Sequence, residues 1–122
     1  MTIFRCVNCR QVLTNELEPG EPLRGSQRPT VHEVVSPRMA PGTFKVNFDA
    51  SLLILHPDDV PGTERHPDHR RLAGCCGLSG QDGPNLICSG CGAEVATKES
   101  DCWTDHLVAL AVAAVIDEPQ VP

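Results

Sequence analysis

Tyrosine is absent from this chain, and its only large aromatic side chains are Phe4, Phe44, Phe48 and Trp103. With so few bulky groups, 122 residues can build only a modest core. Long apolar runs are missing too. The longest, residues 107–116, is about half of the roughly 20 residues that a membrane-spanning helix needs, so no membrane partner is expected. Excess positive charge is also lacking. Ten Lys and Arg against sixteen Asp and Glu leave a formal charge of −6, which disfavours a sequence-independent nucleic-acid binder. The first cysteine follows Met1-Thr2-Ile3-Phe4-Arg5 with no basic start and apolar run before it. No secretory signal is expected, and the expected compartment is the cytoplasm, where thiols stay reduced.

Cysteine is what the chain does have. Seven residues cannot all pair within one chain, and a reducing compartment turns them toward metal rather than disulfides. Four of them fall into two C-x-x-C steps, Cys6-Val7-Asn8-Cys9 and Cys88-Ser89-Gly90-Cys91. Together these offer four thiolates, the number that a closed tetrahedral zinc site takes. Each step places two sulfurs on one tight turn. A small core beside eleven Pro and ten Gly favours such a metal staple. The expected ligand set is therefore Cys6, Cys9, Cys88 and Cys91 on one structural Zn²⁺. A mononuclear iron would use the same four cysteines and is the alternative ion.

The pattern around the knuckles is that of short strands. Ile3-Phe4-Arg5 and Gln11-Val12-Leu13-Thr14 flank the first knuckle. Asn85-Leu86-Ile87 and Ala93-Glu94-Val95-Ala96-Thr97 flank the second, so each knuckle is expected on a β-hairpin. Between them, Phe44-Lys45-Val46-Asn47-Phe48 alternates as a half-buried strand does, and Leu52-Leu53-Ile54-Leu55 reads as a buried one. Residues 15–42 carry five prolines and three glycines and are expected as a long loop, with residues 31–35 as a short edge strand inside it. Residues 57–74 are polar and also expected as loop. Two foldings suit the tail. Thr104 or Asp105 caps a short helix running to Asp117 in one, which the Ala-rich stretch favours. In the other, Leu107-Val108-Ala109-Leu110 is a strand followed by a turn. Trp103 is expected against the hairpins in either case. The expected architecture is a single small β-rich domain over residues 1–122, zinc-ribbon-like, with long loops.

The segments Gly74-Cys75-Cys76-Gly77, Asn85-Leu-Ile-Cys88-Ser-Gly-Cys91-Gly-Ala-Glu-Val-Ala-Thr97 and Asp101-Cys-Trp103 together resemble a family of small actinobacterial zinc-ribbon proteins. The likeness covers roughly residues 40–105 and the N-terminal knuckle. It implies a zinc-held scaffold and brings no activity with it. The second knuckle, with Gly92 after its last cysteine, is similar to zinc ribbons in general. The first departs from them by placing Arg10 where glycine is expected.

Cys75 and Cys76 stand outside this scheme. With His66 and His69, and with His56 and Cys102 nearby in sequence, they are candidate ligands of a second metal site. Solvated loop histidines and small buried thiols are the competing account. No H-E-x-x-H, deaminase or P-loop spacing is present, so an enzyme is the least expected class. The alternative, a nucleic-acid- or transcription-associated zinc ribbon, would need Arg5 and Arg10 beside the first knuckle to converge on one face with Arg70 and Arg71, which share a loop with Arg65. A zinc-stabilised module contacting another protein, through a segment such as residues 65–71, is the leading expectation.

Overall fold

The computed structural model describes residues 1–22, 39–72, 74, 78–100 and 106–120. These form nine strands: β1 Thr2–Cys6, β2 Glu18–Pro19, β3 Thr43–Val46, β4 Leu52–Leu55, β5 Thr63–Arg65, β6 Leu86–Cys88, β7 Glu94–Glu99, β8 Leu107–Ala111 and β9 Val115–Pro119. Seven of them make one sheet in the order β2-β3-β4-β8-β7-β6-β5, while β1 and β9 pair as a separate antiparallel ribbon. All pairings are antiparallel except the short one between β2 and β3.

The register places apolar side chains on one buried face. Leu53 lies opposite Leu110 and Leu55 opposite Val108 across β4 and β8, and all four are buried. On the other side of β8, Ala96 of β7 lies opposite Leu110 and is buried as well. Phe4 joins this core from β1 and meets Phe44 edge-on, with ring centroids 5.2 Å apart at 81°. Leu13 and Leu17, from the chain that follows the first knuckle, are fully buried in it.

Among the described residues the tail carries no α-helix. Residues 107–111 sit between β4 and β7, bonded on both sides, and a 3₁₀ turn, Val112–Ala114, leads to β9. Alanine favours helix by tenths of a kcal/mol per residue, and two strand ladders with a buried face outweigh that. The interleaved Val108, Val112, Val115 and Ile116 are β-branched, consistent with extended chain. The C-terminal helix expectation is thus corrected to the strand alternative.

Smaller corrections have local causes. The strand expected over residues 11–14 is reduced to one bridge, Arg5 opposite Val12. Here the Thr14 hydroxyl takes the Phe4 N–H at 3.1 Å in place of a backbone carbonyl, and the other edge of this segment is occupied by residues 59–62. Strand β3 ends at Val46 because Asn47 turns the chain, its side-chain carbonyl accepting from Ser51 N and Leu52 N. The segment 57–74 contains β5, which edges the main sheet. The expected edge strand over residues 31–35, and Trp103, lie outside the described residues.

Asn85 is the buried polar group that fixes the second hairpin. Its side chain donates to Lys98 O at 2.9 Å and accepts from Lys98 N at 2.7 Å, while its backbone bonds Ala96 O and His66 N. It thereby bridges the β-bulge between β6 and β7. Asn85→Ala leaves the Lys98 pair without partners in a dry site. It is expected to lower stability by about 2–4 kcal/mol in urea melts of the metal-loaded protein, the cost of two unmet buried groups. A loss below about 0.5 kcal/mol would show that water replaces the amide.

Candidate metal centre

The two knuckles are built on one hydrogen-bond plan. Cys6 ends β1 and Cys88 ends β6. Cys6 N donates to Gln11 O and Cys88 N to Ala93 O, both at 2.8 Å. Arg10 N returns to Cys6 O at 2.8 Å, and Gly92 N returns to Cys88 O at 2.9 Å. The residue after each second cysteine is left-handed, Arg10 at φ 66° and Gly92 at φ 80°. The departure from glycine at position 10 therefore leaves the turn unchanged. Arginine there carries a backbone cost on the order of 1 kcal/mol. The Arg5 guanidinium donates to Arg10 O at 3.0 Å and holds the turn from outside.

The strand pairing brings these turns together. β9 follows β8 directly and carries β1 with it, Cys6 standing opposite Val115. β6 reaches the same end of the molecule through β7 and β8. The sulfurs of Cys6 and Cys91 lie 3.7 Å apart, those of Cys9 and Cys88 3.5 Å apart. All four sulfurs fall within 4.8 Å of one another. A regular tetrahedron with metal–sulfur distances of about 2.3 Å has edges of about 3.8 Å, so the four thiols fit one such ion. Cys6 and Cys88 are buried, Cys9 and Cys91 exposed. Gly90 N points at the Cys88 sulfur at 3.4 Å.

Protonation of the cluster is uneven. The Asn8 side chain and then the Ala93 N–H hold the Cys91 thiol down to about 6. The Gln11 N–H pulls Cys9 the same way, but desolvation and the sulfurs of Cys88, Cys91 and Cys6 outweigh it and push Cys9 up to about 12. The opposite shifts have different causes, hydrogen bonds at Cys91 and desolvation with crowded sulfurs at Cys9. A divalent cation offsets that crowding and takes all four as thiolates.

Two residues clamp the knuckles to each other, and spacing did not single them out. Gly62 N donates to Leu13 O at 3.1 Å, and Gly62 O accepts from Ser89 N at 3.0 Å, Ser89 Oγ at 3.0 Å and Gln11 Nε2 at 3.1 Å. Gly62 therefore spans from the chain behind the first knuckle to the tip of the second. A Cβ there would overlap the Val12 carbonyl and stand 2.7 Å from Leu13 Cα. Gln11 also donates to the Ser89 hydroxyl. In the sequence, Pro61-Gly62 is ordinary turn punctuation, and nothing local marks it as a bridge.

The second-site candidates are not assembled among the described residues. His66 Nδ1 accepts from Asp68 N at 3.0 Å, and its Nε2 is 2.8 Å from Glu94, which also binds Arg71 at 3.0 Å. Both ring nitrogens are thus engaged. His69 is exposed in a 3₁₀ turn, and the His56 ring caps another by accepting from Asp58 N. Cys75, Cys76 and Cys102 lie outside the described residues. Of the five arginines among the described residues, three are ion-paired and two, Arg10 and Arg65, are not. Arg5 pairs with Glu118, Arg70 with Asp68 and Arg71 with Glu94. The Arg70 bond holds the Asp68 carboxyl down to about 2, so this exposed pair stays charged through the neutral range.

No protein-family model, curated protein or solved structure matches the chain. The site therefore stands on its own chemistry: four thiols, two matching turns and a cross-brace.

Gly62→Ala is expected to separate the knuckles and weaken metal affinity at least about tenfold in chelator competition, as changes in a metal's supporting shell do. Unchanged affinity would deny Gly62 its bracing role. Arg10→Gly is expected to keep the metal and raise stability by up to about 1 kcal/mol, because it removes the left-handed strain. A loss of metal on that change would mean the Arg10 side chain supports the site.

Proposed function

We propose that this chain is a zinc-binding, zinc-stabilised protein-interaction module. The observation that carries the proposal is the convergence of the Cys6, Cys9, Cys88 and Cys91 sulfurs within 4.8 Å. Four protein thiolates fill a tetrahedral ion and leave no position for water or substrate. The ion's contribution is charge neutralisation and a cross-link between segments about eighty residues apart in sequence. Zinc is the favoured ion because a closed set of four thiolates on paired turns is its common structural site.

A protein partner is favoured over nucleic acid on charge. The chain carries −6, and Arg5, Arg70 and Arg71 are each paired with a carboxylate of the chain itself. Exposed apolar groups, Phe48 and Val46 among them, supply the kind of surface that another protein covers. Among the described residues, no helix is long and apolar enough to cross a membrane.

Elemental mass spectrometry of protein purified without added metal is expected to find one zinc per chain. Four of the seven thiols should resist alkylation until a chelator removes it. Cys9→Ser and Cys88→Ser are each expected to lose the metal and the hairpin ends together, since binding and folding are coupled at such sites. Full metal and unchanged melting in both variants would overturn the proposal.

A further inference from the structure

We infer that the cleft between the β1–β9 ribbon and the β3–β4 corner of the main sheet docks a segment of another protein that presents a large apolar side chain flanked by lysine or arginine. The inference rests on the interaction-module reading and names the surface and the chemistry of its partner.

The cleft has a volume of about 300 Å³, enough for one large side chain and its neighbours. Its floor is Phe4 and Leu53, both buried, with Phe44 and Val115 packed beside them. Its rim is apolar and wet: Val46 is 42% exposed and Val112 37%. Beside it the β3–β4 turn holds Phe48 wholly in solvent. That turn is tightly bonded. Asn47 Oδ1 accepts two backbone N–H groups, and Asp49 accepts from Ser51 Oγ at 2.6 Å. Ala50, which lines the cleft, sits left-handed at φ 60°. The turn is held by these bonds, and it carries a wholly exposed aromatic ring two residues from each of the cleft-lining Val46 and Ala50, the kind of exposed apolar group that marks a contact surface.

Charge selects the partner. Asp117 lines the cleft and makes no ion pair among the described residues. Of the nearby cations, Arg5 is taken by Glu118 and Lys45 by Glu21, while Arg10, which lines a neighbouring hollow with Asp117, is not among the residues that line the cleft. Asp49 adds a second carboxylate on the turn, held below the usual range by the Ser51 hydroxyl and N–H. Among the described residues, Asp117 is the one charged side chain in the cleft lining, so the apolar floor carries a negative charge, on a chain that is −6 overall. This complements a basic-apolar segment and disfavours a second copy of this acidic chain.

The test is an amide-resonance titration of the full ¹⁵N-labelled, zinc-loaded chain with a synthetic peptide of alternating lysine and leucine. A glutamate–leucine peptide serves as control. Shifts are expected to centre on Val46, Phe48, Val112 and Asp117, with no response to the glutamate peptide. Asp117→Asn and Phe48→Ala should each weaken binding about fivefold or more while leaving the free spectrum otherwise unchanged. Shifts elsewhere, equal response to both peptides, or concentration-dependent shifts of the free chain (a second copy on the cleft) would each overturn the inference. Spectra with and without metal separate the two levels. A chain that folds on zinc but leaves the cleft unshifted overturns the docking inference alone. A chain whose spectrum ignores the metal overturns the reading beneath it.

Discussion

Mutual repulsion among four crowded sulfurs is the constraint on which the rest of this structure depends. Cys6, Cys9, Cys88 and Cys91 lie closer together than four anions can stay without a cation between them. The backbone around them is arranged for that cation: paired left-handed turns, matching N–H returns, and Gly62 wedged between the hairpins. The protein core then need not hold the chain ends alone. It contains few large side chains, with Phe4 its only fully packed aromatic among the described residues. A site of this type contributes folding free energy on the order of 10 kcal/mol, comparable to the whole stability of a small domain.

The site was more legible in the sequence than the fold. Cysteine spacing is local, and C-x-x-C forces two sulfurs onto one turn whatever surrounds it, so the four thiols that cluster could be named from residue order. Strand β4 was legible for a similar reason, since four consecutive apolar residues have few other uses. The tail was not. Residues 107–116 carry a helical composition, and only the vacant place between β4 and β7 makes residues 107–111 extended. Gly62 was illegible in another way. Its role comes from contacts with Leu13 and Ser89, about fifty and thirty residues away in sequence. Arg10 looked like a weakness in the first knuckle, yet its backbone adopts the conformation that Gly92 adopts in the second.

The surface follows the same economy. Arg5 near the first knuckle and Arg70 and Arg71 in the Asp68–Arg71 segment are each matched to a carboxylate, which reduces the positive field left to gather a polyanion. Apolar residues and the Asp117 carboxylate meet around the cleft. The cysteine cluster and the cleft are linked through β1 and β9: Cys6 and Val115 stand opposite each other in one ribbon, and Val115 lines the cleft.

X-ray absorption at the zinc edge of the metal-loaded chain tests the central claim most directly. The account predicts a single shell of four sulfurs at about 2.3 Å, with no nitrogen or oxygen neighbour. A mixed shell of sulfur with imidazole nitrogen or water oxygen would contradict it, because the ion would then lie outside the cluster that the two knuckles build.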